Sequence, residues 1–270
     1  MKVAALVVTY NRLELLKECI AAIRNQTRPP DAIYIVNNNS NDGTREWISS
    51  YPDIILINLI ENLGGAGGFS IGLKEVFSSF FNYCWIMDDD TIPNNDCLEI
   101  LLNIVTMNDD KAIGWIASNI LWTDGEPHKM NNVEIEEFNL RRHTLLQRKY
   151  IEAIRASFVS LLIHNDAVKK VGLPISDMFI WFDDSEFTRR ISRRGFYCYL
   201  SLESIAVHKS KKNSTPSFID LTNENFWKYR KYVQNMVMSF RSEDKGLFWA
   251  LLKSMIHIKR NHEKEILKLQ

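Results

Sequence analysis

The chain has 270 residues, 46% of them hydrophobic and 24% charged, and its formal net charge is +0. This length fits one large α/β domain, or one such domain with a helical appendage. Because a neutral chain has no general attraction for nucleic acid, we expect no nucleic-acid partner, and any anionic substrate must be bound by a local cluster of charges.

Strand and helix patterns alternate along the first half of the chain. The apolar run at residues 3–8 predicts a buried first strand, because it is too short for a signal peptide with a cleavage site. Further strands are predicted at residues 33–36, 54–59, 83–87 and 113–118, and helices at residues 11–25, 44–50, 69–80 and 96–105. This alternation indicates an α/β fold with a mostly parallel sheet and right-handed crossovers.

The second half of the chain has a less regular pattern. Residues 123–150 are polar and mixed and predict a hairpin-like excursion, and apolar runs predict strands at residues 157–163 and 197–207. From about residue 220 the pattern is helical, aromatic and basic, which is typical of helices that lie on an anionic membrane surface or pack against protein. No run reaches the roughly 18 apolar residues that a membrane-spanning helix needs.

Three adjacent aspartates, Asp88, Asp89 and Asp90, directly follow the predicted strand at residues 83–87. Adjacent carboxylates repel each other, so they are rarely placed at the end of a buried strand unless a cation binds there. Oxygen ligands of this kind suit Mg²⁺ or Mn²⁺, which proteins often hold together with substrate phosphates. The alternative interpretation is a solvated acidic turn ahead of Pro93.

Other unusual segments also follow predicted strands, at residues 9–12, 37–43 and 62–68. In parallel sheets ligands bind outside the carboxyl ends of the strands, so we expect these segments to lie together. The Asn-rich turn at residues 37–43 fits either a contact with a nucleobase or ribose, or a helix cap. The glycine run at residues 64–68 fits either close approach of the backbone to phosphate or tight packing of a helix on the sheet.

A second carboxylate cluster comprises Asp183, Asp184 and Glu186, close to Trp181. Aromatic rings beside carboxylates suit sugar recognition, and a carboxylate in partly apolar surroundings can act as a general base. Helix capping by the aspartates, with Glu186 near the favourable end of the dipole, is compatible with that role. His208 ends an apolar run, and a lone histidine of this kind is more often structural than a metal ligand.

These segments occur in an order that resembles the inverting family 2 glycosyltransferases with a GT-A fold, over roughly residues 1–210. The matching segments are residues 7–12, 40–43, 61–69, 85–90 and 181–187. The glycine run and the Trp-x-Met-Asp-Asp-Asp motif are similar to those of bacterial galactofuranosyltransferases, which use UDP-galactofuranose. Rhamnosyltransferases, which use dTDP-rhamnose, have a similar glycine segment. The resemblance implies a Rossmann-like, mostly parallel sheet flanked by helices, with a C-terminal helical segment.

The resemblance also implies roles for individual residues. It implies a nucleotide-sugar site formed by Thr9, Arg12, Asn37, Asn62, Gly64, Gly65, Gly67, Gly68, Asp88 and Asp89. It implies metal ligands at Asp90, Asp88 and His208, a catalytic base at Asp184, and acceptor contacts at Trp181, Asp183 and Glu186. Asn37 stands where the family usually has an aspartate that accepts a hydrogen bond from the uracil or thymine ring, and its amide oxygen can accept the same bond without charge.

The implied reaction is a single displacement that inverts the anomeric centre. A divalent metal, Mn²⁺ or Mg²⁺, neutralises the diphosphate, and Asp184 removes the proton of the acceptor hydroxyl. The implied partners are a UDP- or dTDP-linked sugar donor and a glycan or lipid-linked glycan acceptor, as in O-antigen or capsule polysaccharide synthesis. A non-catalytic nucleotide-sugar-binding scaffold is an alternative, but the chain keeps both the second carboxylate cluster and His208, which favours catalysis. A hydrolase or nucleotidyltransferase that uses the same metal is a weaker third alternative.

We expect a catalytic domain at residues 1–215, with a nucleotide-sugar half at about 1–120 and an acceptor half at about 121–215. Residues 216–270 form a predicted helical region that contacts a membrane surface or mediates homo-oligomerisation. Four scattered cysteines without metal-ligand spacing favour a reducing compartment. The expected location is therefore the cytoplasm, with peripheral attachment at the inner face of the cell membrane as a further expectation.

Overall fold

The computed structural model describes residues 1–131, 133–135, 148–215, 222 and 226–241. The strands are β1 Val3–Thr9, β2 Ala32–Asn37, β3 Ile54–Asn58, β4 Tyr83–Asp88, β5 Thr91–Pro93, β6 Ile113–Leu121, β7 Glu134–Ile135, β8 Tyr150–Arg155, β9 Leu161–His164 and β10 Tyr197–His208. The helices are α1 Leu13–Arg24, α2 Thr44–Ser49, α3 Gly64–Ser78, α4 Cys97–Thr106, α5 Asn165–Val171, α6 Asp183–Ser192 and α7 Phe226–Arg241.

The chain divides into two compact units, residues 1–220 and residues 221–270. The first contains the sheet and α1 to α6, and the second contains α7. Within the described ranges, no helix is long and apolar enough to cross a membrane. The basic, aromatic pattern continues over residues 242–270, which lie outside the described residues.

The sheet has the strand order β3-β2-β1-β4-β9-β6-β10-β8-β7, with β5 paired to β10. Strands β3, β2, β1 and β4 are parallel, as are β6 and β10. Strand β9 is antiparallel to both β4 and β6, so it joins the two parallel groups. The predicted α/β fold with helices flanking a large, mostly parallel sheet is confirmed.

Strand β1 lies at the centre of this architecture and is buried along its whole length. On one face of the sheet, Ala5 and Val7 pack in a cluster with α1 and α4. On the other face, Leu6 and Val8 pack in a cluster with α3. Because helices cover both faces, the strand is a continuous apolar run rather than an alternating one, which explains why the sequence pattern was clear.

Helix α3 differs from the sequence prediction, because it begins at Gly64 rather than at residue 69. A Cβ atom at Gly68 would lie 2.6 Å from Val8, and one at Gly72 would lie 2.6 Å from Leu6. These glycines therefore allow α3 to lie close against β1. Tight helix packing, one of the two interpretations of the glycine run, applies at Gly68.

Two further differences concern segments that join strands. Strand β5 was not predicted, because three residues after an acidic turn carry too little pattern to be recognised. The excursion predicted at residues 123–150 contains β7, which pairs antiparallel with β8, while residues 136–147 lie outside the described residues.

Gly64 provides a test of the packing at the start of α3. Its φ is +70°, and a Cβ atom there would lie 2.1 Å from the carbonyl oxygen of Phe179. We expect Gly64→Ala to lower the free energy of unfolding by about 2–4 kcal/mol, from left-handed strain and overpacking together. Urea denaturation followed by circular dichroism measures this change.

Gly65→Ala is the matched control, because a Cβ atom at Gly65 would meet nothing within 4 Å. We expect it to be neutral or to stabilise the helix by up to about 1 kcal/mol. Equal stability of the two variants would show that the contact between Gly64 and Phe179 does not constrain the fold.

Candidate active site

Strands β1 and β4 end side by side, and this places Thr9 next to the aspartates. The two strands pair in parallel with Val8 opposite Asp88. The Thr9 hydroxyl donates a 2.7 Å hydrogen bond to Asp89 Oδ2, which also accepts from the Tyr10 backbone N–H at 3.4 Å. Asp89 is only 3% exposed. Burial raises the pKa of Asp89 to about 6, although the positive charge of Arg12 opposes this.

Arg12 provides the positive charge at this edge of the sheet. Its Nη1 atom lies 3.3 Å from Asp89 Oδ1 and 2.6 Å from Asp90 Oδ2. Burial alone would raise the pKa of Asp90, but His208 and Arg12 outweigh it and the pKa is lowered. Burial, together with the charges of Asp90 and Asp89, raises the pKa of Asp88 well above its usual range.

His208 reaches the aspartates because β10 pairs antiparallel with β5. The register places His208 opposite Thr91, and the backbone N–H of Lys209 donates a 2.8 Å hydrogen bond to the carbonyl oxygen of Asp90. His208 Nε2 consequently lies 3.1 Å from Asp90 Oδ1. Asp88, Asp90 and His208 each offer one ligand atom, and these three atoms lie within 4.8 Å of one another. The three residues predicted as metal ligands are therefore brought together.

The chemistry of this cluster fits a divalent cation. Asp90 Oδ1 is buried and has no hydrogen-bond partner within the described part of the chain, although His208 Nε2 lies 3.1 Å away. Three carboxylates face one guanidinium, so ionisation of all three would leave two uncompensated negative charges. Carboxylate oxygens with one imidazole nitrogen form a suitable ligand set for such an ion.

The second carboxylate cluster occupies the first turn of α6. Trp181 and Phe182 have φ values of 66° and 67°, and this left-handed pair leads directly into the helix. Asp183 is buried, and burial together with the charge of Asp184 raises its pKa to about 8. Burial also raises the pKa of Asp184, which is partly exposed and accepts a hydrogen bond from the backbone N–H of Ser185.

The two carboxylate clusters belong to one electrostatic environment. The charge of Asp183 is among the causes that raise the pKa of Asp88. Neither Asp183 nor Asp184 caps α6, because the capping position is Phe182, which makes no side-chain cap. Both carboxylates instead lie in the first helical turn, where the helix dipole favours negative charge.

Glu186, predicted at the acceptor, forms an ion pair within α6. Its Oε1 atom lies 2.8 Å from Nε of Arg190, which also donates to the carbonyl oxygens of Val171 and Leu173. Glu186 therefore helps to hold the chain ahead of α6. Acceptor contacts by Glu186 and by the half-buried Trp181 stay predictions.

Asn37 lies at the end of β2 with its side-chain amide engaged inside the protein. Its Oδ1 atom accepts from the Ser40 backbone N–H at 3.1 Å, and its Nδ2 atom donates to Asn58 Oδ1 at 2.7 Å. Asp42 in the same turn accepts from the backbone N–H groups of Leu13 and Thr44. These contacts support the capping interpretation of the turn, and contact of Asn37 with a base stays a prediction.

Asn38, for which no individual role was predicted from the sequence, makes hydrogen bonds with the backbone at the start of α3. Its Nδ2 atom donates to the Gly64 carbonyl oxygen at 3.0 Å, and its Oδ1 atom accepts from the Leu63 backbone N–H at 3.1 Å. Asn62 Oδ1 accepts from the Gly64 backbone N–H at 2.8 Å. A Cβ atom at Gly67 would lie 2.5 Å from Leu63, whereas Gly65 adjoins open space. Gly65 is therefore the position of the run at which the backbone is open to a ligand.

Two residues that contact His208, namely His128 and Asn131, were also not predicted from the sequence. The ring of His128 stacks on that of His208, with centroids 4.4 Å apart and planes inclined by 27°. Asn131 Oδ1 lies 2.7 Å from His208 Nδ1. Burial and then the charge of His208 lower the pKa of His128 to about 4. Both residues precede a segment without clear periodicity, so no sequence pattern connected them with His208.

The raised pKa of Asp183 predicts how stability varies with pH. An unfolded aspartate has a pKa of about 3.9, whereas the folded value of Asp183 is about 8. Between these values the folded state keeps a proton that the unfolded state releases, so rising pH destabilises the folded state. We expect Asp183→Asn to become progressively more stable than the wild type from about pH 4 to about pH 8.

Thermal unfolding across this pH range measures the difference. The exposed Asn95 gives a control without a titratable side chain, and we expect the difference between Asn95→Ala and the wild type not to change with pH. A constant difference for Asp183→Asn as well would contradict the burial of a protonated carboxyl in α6.

Comparisons with known proteins agree with this site. The family described as "Glycosyl transferase family 2" matches residues 4–172. Galactofuranosyltransferase GlfT1 of Mycolicibacterium smegmatis is 28% identical over 209 residues, which cover 72% of this chain and 66% of that protein. The present chain thus spans about two thirds of that relative's length.

Solved structures share the architecture at low identity. The crystal structure of GalNAc-T7 with UDP, GalNAc and Mn²⁺ has a TM-score of 0.68 and 13% identity, covering 89% of this chain and 48% of that one. Mannosyltransferase PcManGT from Pyrobaculum calidifontis, in complex with GDP-Man and Mn²⁺, has a TM-score of 0.58 and 18% identity, covering 89% and 63%. These similarities identify the GT-A fold. Because the family match extends over more than half of the residues of this chain, the chain belongs to glycosyl transferase family 2.

Proposed function

We propose that this glycosyltransferase transfers galactofuranose from UDP-galactofuranose to a hydroxyl group of a glycan acceptor, with inversion and with the help of a divalent metal. The similarity to GlfT1, which is named as a galactofuranosyltransferase, supports the donor sugar. The Mn²⁺ in the GalNAc-T7 and PcManGT structures supports the metal. In this proposal the acceptor is a lipid-linked glycan of cell-surface polysaccharide synthesis, met at the inner face of the membrane.

The observation that carries the proposal is the division of the buried carboxylates into two groups with different surroundings. Asp89 and Asp90 are paired with Arg12, and Asp90 lies beside His208. Asp183 and Asp184 lie in the first turn of α6, and the pKa of each is raised by burial. The pairing of Asp89 and Asp90 with Arg12 suits charge balance at a metal and a diphosphate, whereas the raised pKa of Asp184 suits proton transfer.

Asp88, Asp90 and His208 would hold the metal, which when bound neutralises charge on the diphosphate leaving group. Asp184 accepts the proton of the acceptor hydroxyl, because the residue is partly exposed and its raised pKa increases its basicity. Asp183, with a pKa of about 8, stays protonated at neutral pH and can donate a hydrogen bond to a substrate oxygen.

The bonds of the proposed reaction change in a single displacement. The bond between the anomeric carbon and the diphosphate oxygen breaks as the acceptor oxygen bonds to the opposite face of that carbon. The acceptor proton passes to Asp184, and the nucleoside diphosphate leaves. Because the leaving group is already activated, the chain needs no nucleophile of its own, and none is assigned.

Asp184→Asn tests the catalytic base. We expect the turnover rate to fall by about 10²–10⁴-fold, since an amide cannot accept the acceptor proton. Affinity for UDP, measured by calorimetry, should not change. The adjacent Asp183→Asn is the control, and because Asp183 is already uncharged at neutral pH, we expect a much smaller loss of turnover. Turnover retained in Asp184→Asn would remove Asp184 from the proposed role.

A donor screen tests the substrate and the metal together. UDP-galactofuranose, UDP-galactopyranose, UDP-glucose and dTDP-rhamnose are each incubated with the enzyme and a crude lipid-glycan acceptor, and release of nucleoside diphosphate is followed. We expect release with UDP-galactofuranose that requires added Mn²⁺ or Mg²⁺ and stops with chelator. Preference for dTDP-rhamnose would replace the proposed donor, and activity unaffected by chelator would remove the metal from the mechanism. Free sugar as the product would indicate a hydrolase.

A further inference from the structure

The segment that contains Asn131 is hydrogen-bonded to the residues that follow His208. The indole Nε1 of Trp122 donates to the Ser210 carbonyl oxygen at 2.9 Å. The Lys129 backbone N–H donates to Asn213 Oδ1 at 2.8 Å. These bonds join the loop after β6 to the end of β10, so Asn131 is held at a defined position beside the His208 ring.

The hydrogen bonds around His128 determine which of its nitrogens carries the proton. The Met130 backbone N–H, which can only donate, points to His128 Nδ1 at 3.3 Å. The proton of the neutral ring is therefore on Nε2, which lies 2.7 Å from Ser210 Oγ. The Ser210 hydroxyl in turn donates to the Lys212 carbonyl oxygen at 3.1 Å. His128 is thus fully engaged, and its stacked ring restricts tilting of His208.

The amide of Asn131 sets the corresponding choice for His208. Its Nδ2 atom donates to Ser157 Oγ at 2.8 Å, which leaves Oδ1 facing His208 Nδ1 at 2.7 Å. An amide oxygen can only accept, so in this orientation of the Asn131 amide Nδ1 of His208 carries the proton. In the neutral ring, Nε2 then presents a lone pair toward Asp90 Oδ1, 3.1 Å away. Two acceptors facing each other repel unless a cation lies between them.

We propose that Asn131 is a positioning residue that keeps His208 in the tautomer with an unprotonated Nε2, ready to bind the metal. The inference rests on the proposed metal-dependent function and extends it to a residue outside the ligand set. Without Asn131, a proton on His208 Nε2 would form a charge-assisted hydrogen bond with Asp90 and compete with the cation. Partners of this kind orient imidazole ligands, and their loss typically weakens metal binding by about 10–100-fold.

The test measures Mn²⁺ binding by calorimetry in the full-length wild type and in variants at this position. We expect Asn131→Ala to bind Mn²⁺ about 10–100-fold more weakly. Asn131→Asp should bind close to the wild type, since a carboxylate also accepts from Nδ1 and the Ser157 hydroxyl can donate to it. Met130→Ala is the matched control, because the Met130 side chain is exposed beside Asn131 in the same segment and the change keeps the backbone contacts of that segment.

A second readout does not depend on the metal. Histidine-selective ¹⁵N labelling of the six histidines reports each ring tautomer by NMR in chelator-treated protein, and a His208→Gln variant assigns the relevant signals. At a pH where the rings are neutral, we expect His208 to be protonated on Nδ1 in the wild type and in Asn131→Asp. In Asn131→Ala we expect the proton to move to Nε2.

The two readouts separate failure of the inference from failure of the metal-dependent function. Wild-type Mn²⁺ affinity in Asn131→Ala, or an equal loss in Met130→Ala, would overturn the role of Asn131. An unchanged His208 tautomer in folded Asn131→Ala would overturn it as well. If the wild type bound no Mn²⁺, the metal-dependent function would fail, and the tautomer spectra would still decide whether Asn131 positions the ring.

Discussion

Three carboxylates at the end of one buried strand repel one another, and the surrounding structure has to accommodate that repulsion. Arg12 compensates one charge by contacting Asp89 and Asp90. Thr9 and the Tyr10 backbone direct hydrogen bonds to Asp89. The charge that remains is the physical reason for expecting a divalent cation at this edge of the sheet.

The position of His208 in this cluster depends on how β10 pairs with β6 and β5, two strands that lie far from His208 in the sequence. Strand β10 shifts register relative to β6 between Leu200 and Ile205 before it continues alongside β5. Ser204, which lies in this irregular region, is buried, and its hydroxyl contacts Ser118 at 2.8 Å and Cys97 at 2.9 Å. A buried hydroxyl without partners would be costly, so this small polar cluster stabilises the irregularity that precedes His208.

The loop that carries the second carboxylate cluster is held by the backbone at the start of α3. The Phe179 carbonyl oxygen accepts from the Ala66 backbone N–H at 3.2 Å, in the space that Gly64 leaves by lacking a Cβ atom. Phe179 lies only a few residues before Asp183, and the intervening Trp181 and Phe182 are left-handed. The glycine helix therefore supports the loop that carries the second cluster. Strain in that loop is consistent with a constrained functional site.

The amino-acid sequence by itself determined the α/β class, the strands of the parallel half, and the residue types of both clusters, because apolar runs and grouped carboxylates are local features. Only the tertiary structure decided how they are used. Asn37 and Glu186 are engaged in internal contacts, α3 begins at Gly64, and Asn131 faces His208. These outcomes depend on which side chains meet across long sequence separations. Strand register and helix packing determine which side chains come into contact, and neither produces a periodic pattern in the sequence around those residues.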